Sequence, residues 1–316
     1  MITDRIDAIT AIPATRLRED PPAPRSVKIE LTSRCNYRCT FCSLKDRDSP
    51  SNMDMDFEMF NRITQEMREA GVEEIGVFYI GESCVNPELL VKAIKHVKDI
   101  GFSYCFLTTN GSLMTAELAA ECMRAGLDSL KFSINAADPE QFIEVMRVKP
   151  KLFETALQNI ADCRLVRDSH NFKCGLYASS IQYDGEQAER MQKLLDERVI
   201  PFVDEHYELP LYGQMAQLDA AKSAQAGFVP TAGNQGRIGA LRQPLPCWAV
   251  STEGHVRADG HLSACCFGAD DKFDMGDLTK QSFMEAWHSE TFRALRRAHL
   301  KRDVSGTVCE DCVAYQ

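Results

Sequence analysis

The segment TSRCNYRCTFCSLK, residues 32–45, holds three cysteines, Cys35, Cys39 and Cys42, in the spacing Cys-x3-Cys-x2-Cys. Thiolates bind zinc and iron–sulfur clusters, and a closed site of either kind takes four protein ligands. No fourth ligand follows in the loop, and the nearest histidine in sequence is His96. A zinc ion would therefore need a donor from elsewhere in the fold. A cubane cluster has another solution: three irons held by the loop, and the fourth left open to a small molecule with donor atoms of its own.

A second set lies near the end of the chain. CWAVSTEGHVRADGHLSACC and CEDC contain Cys-x12-Gly-x4-Cys (Cys247, Gly260, Cys265) and then Cys-x2-Cys (Cys309, Cys312). Four cysteines in two groups can ligate a metal completely, and on spacing alone zinc fits. Cys266 competes with its neighbour; Cys265 is preferred because it completes the Gly-x4-Cys spacing. His255 and His261 fall in the same hairpin and read as exposed. Cys84, Cys105, Cys122, Cys163 and Cys174 read mostly as core, since a free cysteine packs as a small hydrophobe.

The chain has 316 residues, thirteen cysteines and a formal net charge of -10. Such a charge argues against a non-specific nucleic-acid binder, which needs a basic surface. No stretch is long and apolar enough for a signal peptide or a membrane span. The expected location is the cytoplasm, where thiols stay reduced and many cysteines read as metal ligands before disulfides.

These cysteines need a scaffold, and the pattern between them alternates. SVKIEL is strand-like and runs straight into the first cysteine loop. DFEMFNRITQEMREAG has helical spacing; EEIGVFYIGE, SYCFLTTNG, SLKFSINA, FKCGLYASSIQ and PFVDEHYEL read as strands with helices between them. About six strand-then-helix units imply a parallel sheet with helices outside. Residues 1–24 form an N-terminal extension closed by the proline-rich EDPPAPR, 25–212 the core, 213–246 a linker or bridge, and 247–316 a small C-terminal unit. In that last unit TKQSFMEAWHSETFRALRRAHL reads as one amphipathic helix.

With a strand before the first cysteine and Phe41 before the third, the loop resembles the signature of the radical S-adenosylmethionine (SAM) enzymes. The resemblance implies an α/β fold, a partial (β/α)6 barrel, with a 4Fe–4S cluster whose open iron is chelated by S-adenosylmethionine. YIGES (79–83) resembles the family's Gly-Gly-Glu-Pro stretch, with Ile80 and Ser83 departing from it, so Gly81 and Glu82 carry over as contacts to the cosubstrate. TTNG (108–111) matches the family's third-strand ending and adds Asn110. FSINA (132–136) resembles Ser-Ile-Asp-Gly and offers Ser133 and Asn135, and Arg147 could pair with a carboxylate through its planar fork. The C-terminal cysteines resemble the SPASM/twitch domains, which hold auxiliary 4Fe–4S clusters, and their spacing is similar to that of 2-deoxy-scyllo-inosamine dehydrogenase-type twitch enzymes. The chain ends four residues after Cys312, so one auxiliary cluster is expected.

The implied function is reductive cleavage of S-adenosylmethionine and hydrogen abstraction from a small molecule such as a sugar or aminocyclitol. The auxiliary cluster would carry electrons in a net oxidation, and a flavodoxin or ferredoxin would supply them. Cys84 could return a hydrogen atom to a substrate radical, and Glu208 is a candidate base. No nucleic acid or membrane is an expected partner. A peptide-modifying maturase is the alternative; only 34 residues precede Cys35, few for a leader-binding domain. A non-catalytic zinc or iron–sulfur module is the reading from another class.

Overall fold

A computed structural model of the chain describes residues 1–46, 52–183, 185–209, 245–268, 270–310 and 312. Six strands form the parallel core: β1 (Ser26–Ile29), β2 (Glu74–Gly76), β3 (Tyr104–Thr109), β4 (Ser129–Ser133), β5 (Gly175–Ile181) and β6 (Glu205–Leu209). They pair in sequence order, each parallel to the next. The connecting helices are α2 (Phe57–Glu69), α3 (Pro87–Asp99), α4 (Ala116–Arg124), α5 (Pro139–Met146), α6 (Lys151–Ser169) and α7 (Gly185–Arg198). Local chemistry starts several of them. Asp56, Asn86, Thr115 and Asp138 each accept a bond from a first-turn backbone N–H, and Pro87 and Pro139 sit where the missing N–H costs nothing. The parallel sheet with helices outside is as the alternation implied, and the (β/α)6 core is as the family resemblance implied.

The strands show an inverted polarity. On β1, Val27, Ile29 and the following Leu31 are buried against the helices, while the alternate residues Ser26, Lys28 and Glu30 are polar. Successive side chains point to opposite faces, so the polar set faces the barrel interior. β4 repeats this, with Leu130 and Phe132 in the apolar core and Ser129, Lys131 and Ser133 on the other face. A barrel that buries its polar row inside is shaped to hold something there.

Three departures from the sequence reading concern the ends of the chain. Within the N-terminal extension, residues 2–10 form a helix, α1 (Ile2–Thr10). Its Arg5 meets Glu74 at 2.7 Å, and its Ile2 N–H donates to Glu205 at 2.7 Å, so it closes the amino-terminal mouth of the barrel. At the other end, β7 (Glu253–Val256) pairs in parallel with β1, and β8 (His261–Ser263) and β9 (Asp274–Asp277) follow antiparallel. The C-terminal hairpin thus continues the barrel sheet in the order β6-β5-β4-β3-β2-β1-β7-β8-β9. The single C-terminal helix is two, α8 (Phe283–Trp287) and α9 (Glu290–Lys301), because Ser289 caps a new start by accepting from Phe292 N–H. The expected linker at 213–246 lies outside the described residues except for its last two positions.

Candidate cluster and cosubstrate site

The first cysteine loop leaves β1 through Glu30, which is buried and bridges two other loops. One of its carboxylate oxygens accepts from Gly81 N–H at 3.1 Å and the other from Ala258 N–H at 3.0 Å. The loop itself is pinned to the end of α5: Arg38 N–H donates to the Met146 carbonyl at 3.1 Å and Thr40 N–H to that of Val145 at 2.9 Å. Cys35, Cys39 and Cys42 are half-buried on it, and Tyr37 N–H points at Cys35 Sγ at 3.4 Å. Burial pushes the Cys35 thiol up to about 12 and that of Cys39 well above its ordinary value, with neighbouring thiols adding to the effect. Thiols crowded in this way ionise only when positive charge joins them, as bound iron provides. Phe41 packs against the core beside them.

The GES turn after β2 presses on this loop from the other side. Gly81 has no alternative there, since a Cβ would overlap the Thr32 carbonyl oxygen. Glu82 N–H donates to the Arg34 carbonyl at 2.8 Å. The Glu82 carboxylate is buried and accepts from Asn110 N–H at 2.8 Å, Thr109 Oγ1 at 2.9 Å and Cys84 N–H at 3.1 Å. It ties the ends of β2 and β3 together beneath the cysteine loop. Asn110 completes the link, donating to Asn36 Oδ1 at 2.8 Å.

Asn110, Ser133 and Asn135 line one small cavity with Tyr37 and Met146, at the carboxyl ends of β3 and β4 under α5 and α6. Met146 Sδ lies 3.3 Å from Cys39 Sγ, so this cavity adjoins the cysteines. Open α/β sheets bind ligands at this end of their strands. Asn135 is partly committed, accepting from Ile181 N–H at 3.0 Å. Arg147 follows α5 in a left-handed conformation (φ 56°) and is exposed beside the loop.

Three readings of single residues need correction. Cys84 packs as a core cysteine rather than as a hydrogen-atom donor: it is buried below the strand ends, with Sγ 3.5 Å from Thr109 Oγ1. Glu208 is exposed on β6, on the face opposite Tyr207 and Leu209, which line the barrel interior. His255 is buried rather than exposed, and its Nε2 lies 2.9 Å from Glu253.

At the C-terminal end, Cys247, Cys265, Cys309 and Cys312 are all buried, although they come from three separate segments. Burial pushes the Cys247 thiol up, with Cys309, Cys312 and Cys266 adding to it, and that of Cys265 is raised first by its hydrogen bond with Cys266, then by burial and by Cys266 and Cys247. Cys266 is half-buried and lines the interior cavity. Among the described residues no three His, Cys, Asp or Glu side chains gather around a point suited to one ion. Cluster ligation needs no such point, because each thiolate of a cubane binds a different iron. Both thiol sets fit iron–sulfur clusters in donor type and number.

Sequence reasoning missed Glu30, Lys28, Asn36, Tyr79 and Lys131. The signal for three of them was present: polar residues at every second position of SVKIEL and SLKFS mark a polar inner face.

Residues 29–167 match the family model described as the radical SAM superfamily, and residues 247–313 match that of the SPASM iron-sulfur cluster-binding domain. The chain carries a radical SAM domain followed by a SPASM domain. The radical SAM domain binds a 4Fe–4S cluster and S-adenosylmethionine, and the SPASM domain binds further iron–sulfur. Among similar proteins is the tungsten-containing aldehyde ferredoxin oxidoreductase cofactor-modifying protein of Pyrococcus furiosus, 22% identical over 90% of this chain and 86% of that one. GTP 3′,8-cyclase of Desulforamulus reducens is 28% identical, but over only 39% of this chain and 38% of its own. Streptococcus suis SuiB bound to precursor peptide SuiA superposes with a TM-score of 0.64 at 13% identity, covering 93% of this chain and 71% of SuiB. BtrN in complex with AdoMet and 2-DOIA gives 0.54 at 14%, covering 88% and 87%. At such identities the likeness is one of fold. Among the described residues of this radical SAM protein, no helix is long and apolar enough to cross a membrane.

Proposed function

We propose that this radical SAM protein is a cytoplasmic oxidoreductase that abstracts hydrogen from a small molecule held inside the barrel. The observation that carries the reading is the cavity between α1 and the C-terminal loop, about 230 Å³, lined by inward residues of β1, β2, β3, β4 and β6. Pockets for drug-sized ligands run from about 300 to 1,000 Å³, so this one suits a small metabolite better than a folded peptide segment. When bound, the first cluster would supply an electron for cleavage of S-adenosylmethionine, and the second would accept the electron left on the substrate.

The protein's own groups do the rest. Cys35, Cys39 and Cys42 would hold the first cluster, and Cys247, Cys265, Cys309 and Cys312 the second. Asn110, Ser133 and Asn135 would contact the cosubstrate, with Arg147 near its carboxylate. Gly81 lets the GES turn approach the cysteine loop, and Glu82 positions that turn through its three accepted bonds. A flavodoxin or ferredoxin would be the electron donor.

Replacing Cys35, Cys39 and Cys42 together by Ala tests the assignment. The expected protein keeps the auxiliary iron and forms no 5′-deoxyadenosine with dithionite and S-adenosylmethionine. Formation above the level without enzyme would overturn it. A peptide substrate would show instead as 5′-deoxyadenosine formation stimulated by peptides and by no small molecule.

A further inference from the structure

Five charged residues line the barrel cavity, Arg5, Lys28, Glu74, Lys131 and Glu253, and four of them pair. Arg5 meets Glu74 at 2.7 Å, and Lys28 meets Glu253 at 2.8 Å. Lys131, on the inner face of β4, has no carboxylate within ion-pair distance among the described residues; its Nζ donates to Tyr207 Oη at 3.1 Å. An ammonium has three protons to donate, and a phenol satisfies one of them. Apolar side chains, Phe78, Phe106 and Trp248 among them, line much of the rest of the cavity.

Position matters as much as charge. The inward residues of β4 and its extension are Ser129, Lys131, Ser133 and Asn135, and those of β3 are Tyr104, Phe106, Thr108 and Asn110. The lower members of each row line the barrel cavity, and the upper ones line the cavity beside the cysteine loop. Two residues along a strand span roughly 7 Å, so Lys131 sits one such step below Ser133. A molecule gripped by Lys131 lies directly under the proposed cosubstrate contacts.

We propose that the barrel cavity takes a small molecule bearing a carboxylate or phosphate, and that Lys131 Nζ anchors that anionic group. This rests on the radical SAM reading above and deepens it by naming the substrate's charge. Among the residues that line the cavity, Arg5–Glu74 and Lys28–Glu253 neutralise one another, which leaves the charge of Lys131 for a monoanion to meet. The apolar walls then take the uncharged part of the molecule and leave its upper end towards the strand termini.

The test uses the full chain, anaerobically reconstituted and saturated with S-adenosylmethionine. Calorimetric titration is run with a panel of small carboxylates and phosphomonoesters, each paired with its neutral amide or alcohol. At least one anion is expected to bind about tenfold or more tighter than its neutral partner, as a charge-assisted bond provides. Lys131→Gln should erase that preference, and Lys131→Arg should keep most of it. The carboxylate and phosphate arms tell which anion the site takes. No anion preference in the wild type, or one that survives Lys131→Gln, overturns the proposal, as does binding by acidic peptides alone. The wild-type comparison stands even if a variant fails to fold. 5′-Deoxyadenosine formation with dithionite, measured on the same samples, separates the two ideas: cleavage without anion preference removes the anchor and leaves the enzyme, whereas cluster-loaded protein without cleavage removes the enzyme reading.

Discussion

Tyr79 Oη donates to the carbonyl of Cys265 at 2.5 Å, joining the strand end that carries the GES turn to the loop that carries an auxiliary cysteine. The same hydroxyl lies 3.2 Å from the Gly268 carbonyl and 3.3 Å from Ser263 Oγ. Burial holds the phenol protonated, well above its ordinary titration range, so it remains a donor. The two halves of the chain are thus tied by a hydrogen bond set beside a thiol, as well as by the pairing of β1 with β7.

Tyr79→Phe removes the donor and leaves the ring. Ser263 Oγ stays within 3.3 Å of the Cys265 carbonyl, so the loss should be about 1–2 kcal/mol rather than that of a fully orphaned group. The expected protein unfolds a few degrees earlier and retains less auxiliary iron, with the first cluster unaffected. Iron analysis beside a thermal melt checks both. An unchanged auxiliary cluster would show that the bond does not position the Cys265 loop.

Lys28 and Glu253 form a second joint across the β1–β7 boundary, with His255 on the same carboxylate oxygen. Burial pushes the Glu253 carboxyl up, but Lys28 and His255 outweigh it and hold it at about 2. A depressed carboxyl contributes its full stability above the unfolded-chain value near 4.5 and loses it as pH falls through about 2. At pH 7–8, where clusters persist, the pair is fully formed. Lys28→Met should cost about 3 kcal/mol, because it leaves the carboxylate buried and unmatched. Adding Glu253→Gln should recover much of that. If the double variant is no more stable than Lys28→Met, the two residues are not coupled.

The barrel was legible because its strands and helices alternate in short, well-punctuated segments, and Asp56, Asn86, Thr115 and Asp138 mark helix starts in the sequence itself. The cysteine loop was legible by spacing. What escaped depends on contacts between distant segments. Nothing local in TDRIDAIT says that Arg5 will find Glu74 and seal the barrel. WAVSTEGHV reads as a free hairpin until its pairing with SVKI is seen. Cys84 and Glu208 were misplaced for a related reason. Glu208 lies on a strand, where one step of register reverses the face a side chain takes, and Cys84 lies in a short helical turn, Ser83–Val85, that carries it beneath the strand ends.

Gly81 tests how closely the GES turn must approach the cysteine loop. Gly81→Ala sets a Cβ against the Thr32 carbonyl oxygen, which is backbone and cannot swing aside. Either the turn or the loop has to shift. A cost of about 1–3 kcal/mol is expected, together with weakened S-adenosylmethionine binding measured by calorimetry on the reconstituted protein. Wild-type affinity in the variant would mean that the cosubstrate does not use this turn.

The auxiliary thiols allow the sharpest test. Cys247, Cys265, Cys309 and Cys312 are buried together, whereas Cys266 is half-buried at the interior cavity and still close enough to act on Cys247. With a cubane at each set, the wild type should carry about eight irons. Cys309→Ala with Cys312→Ala should remove roughly half and lower stability, since cluster binding is partly folding energy. Cys266→Ala should leave the iron content unchanged, and Cys265→Ala should reduce it to the level of the double variant. The reverse result would make Cys266 the ligand and give Cys265 the cavity side. A folded variant lacking the second cluster should still form 5′-deoxyadenosine but little oxidised product. Normal turnover there would rule out the auxiliary cluster as the electron acceptor.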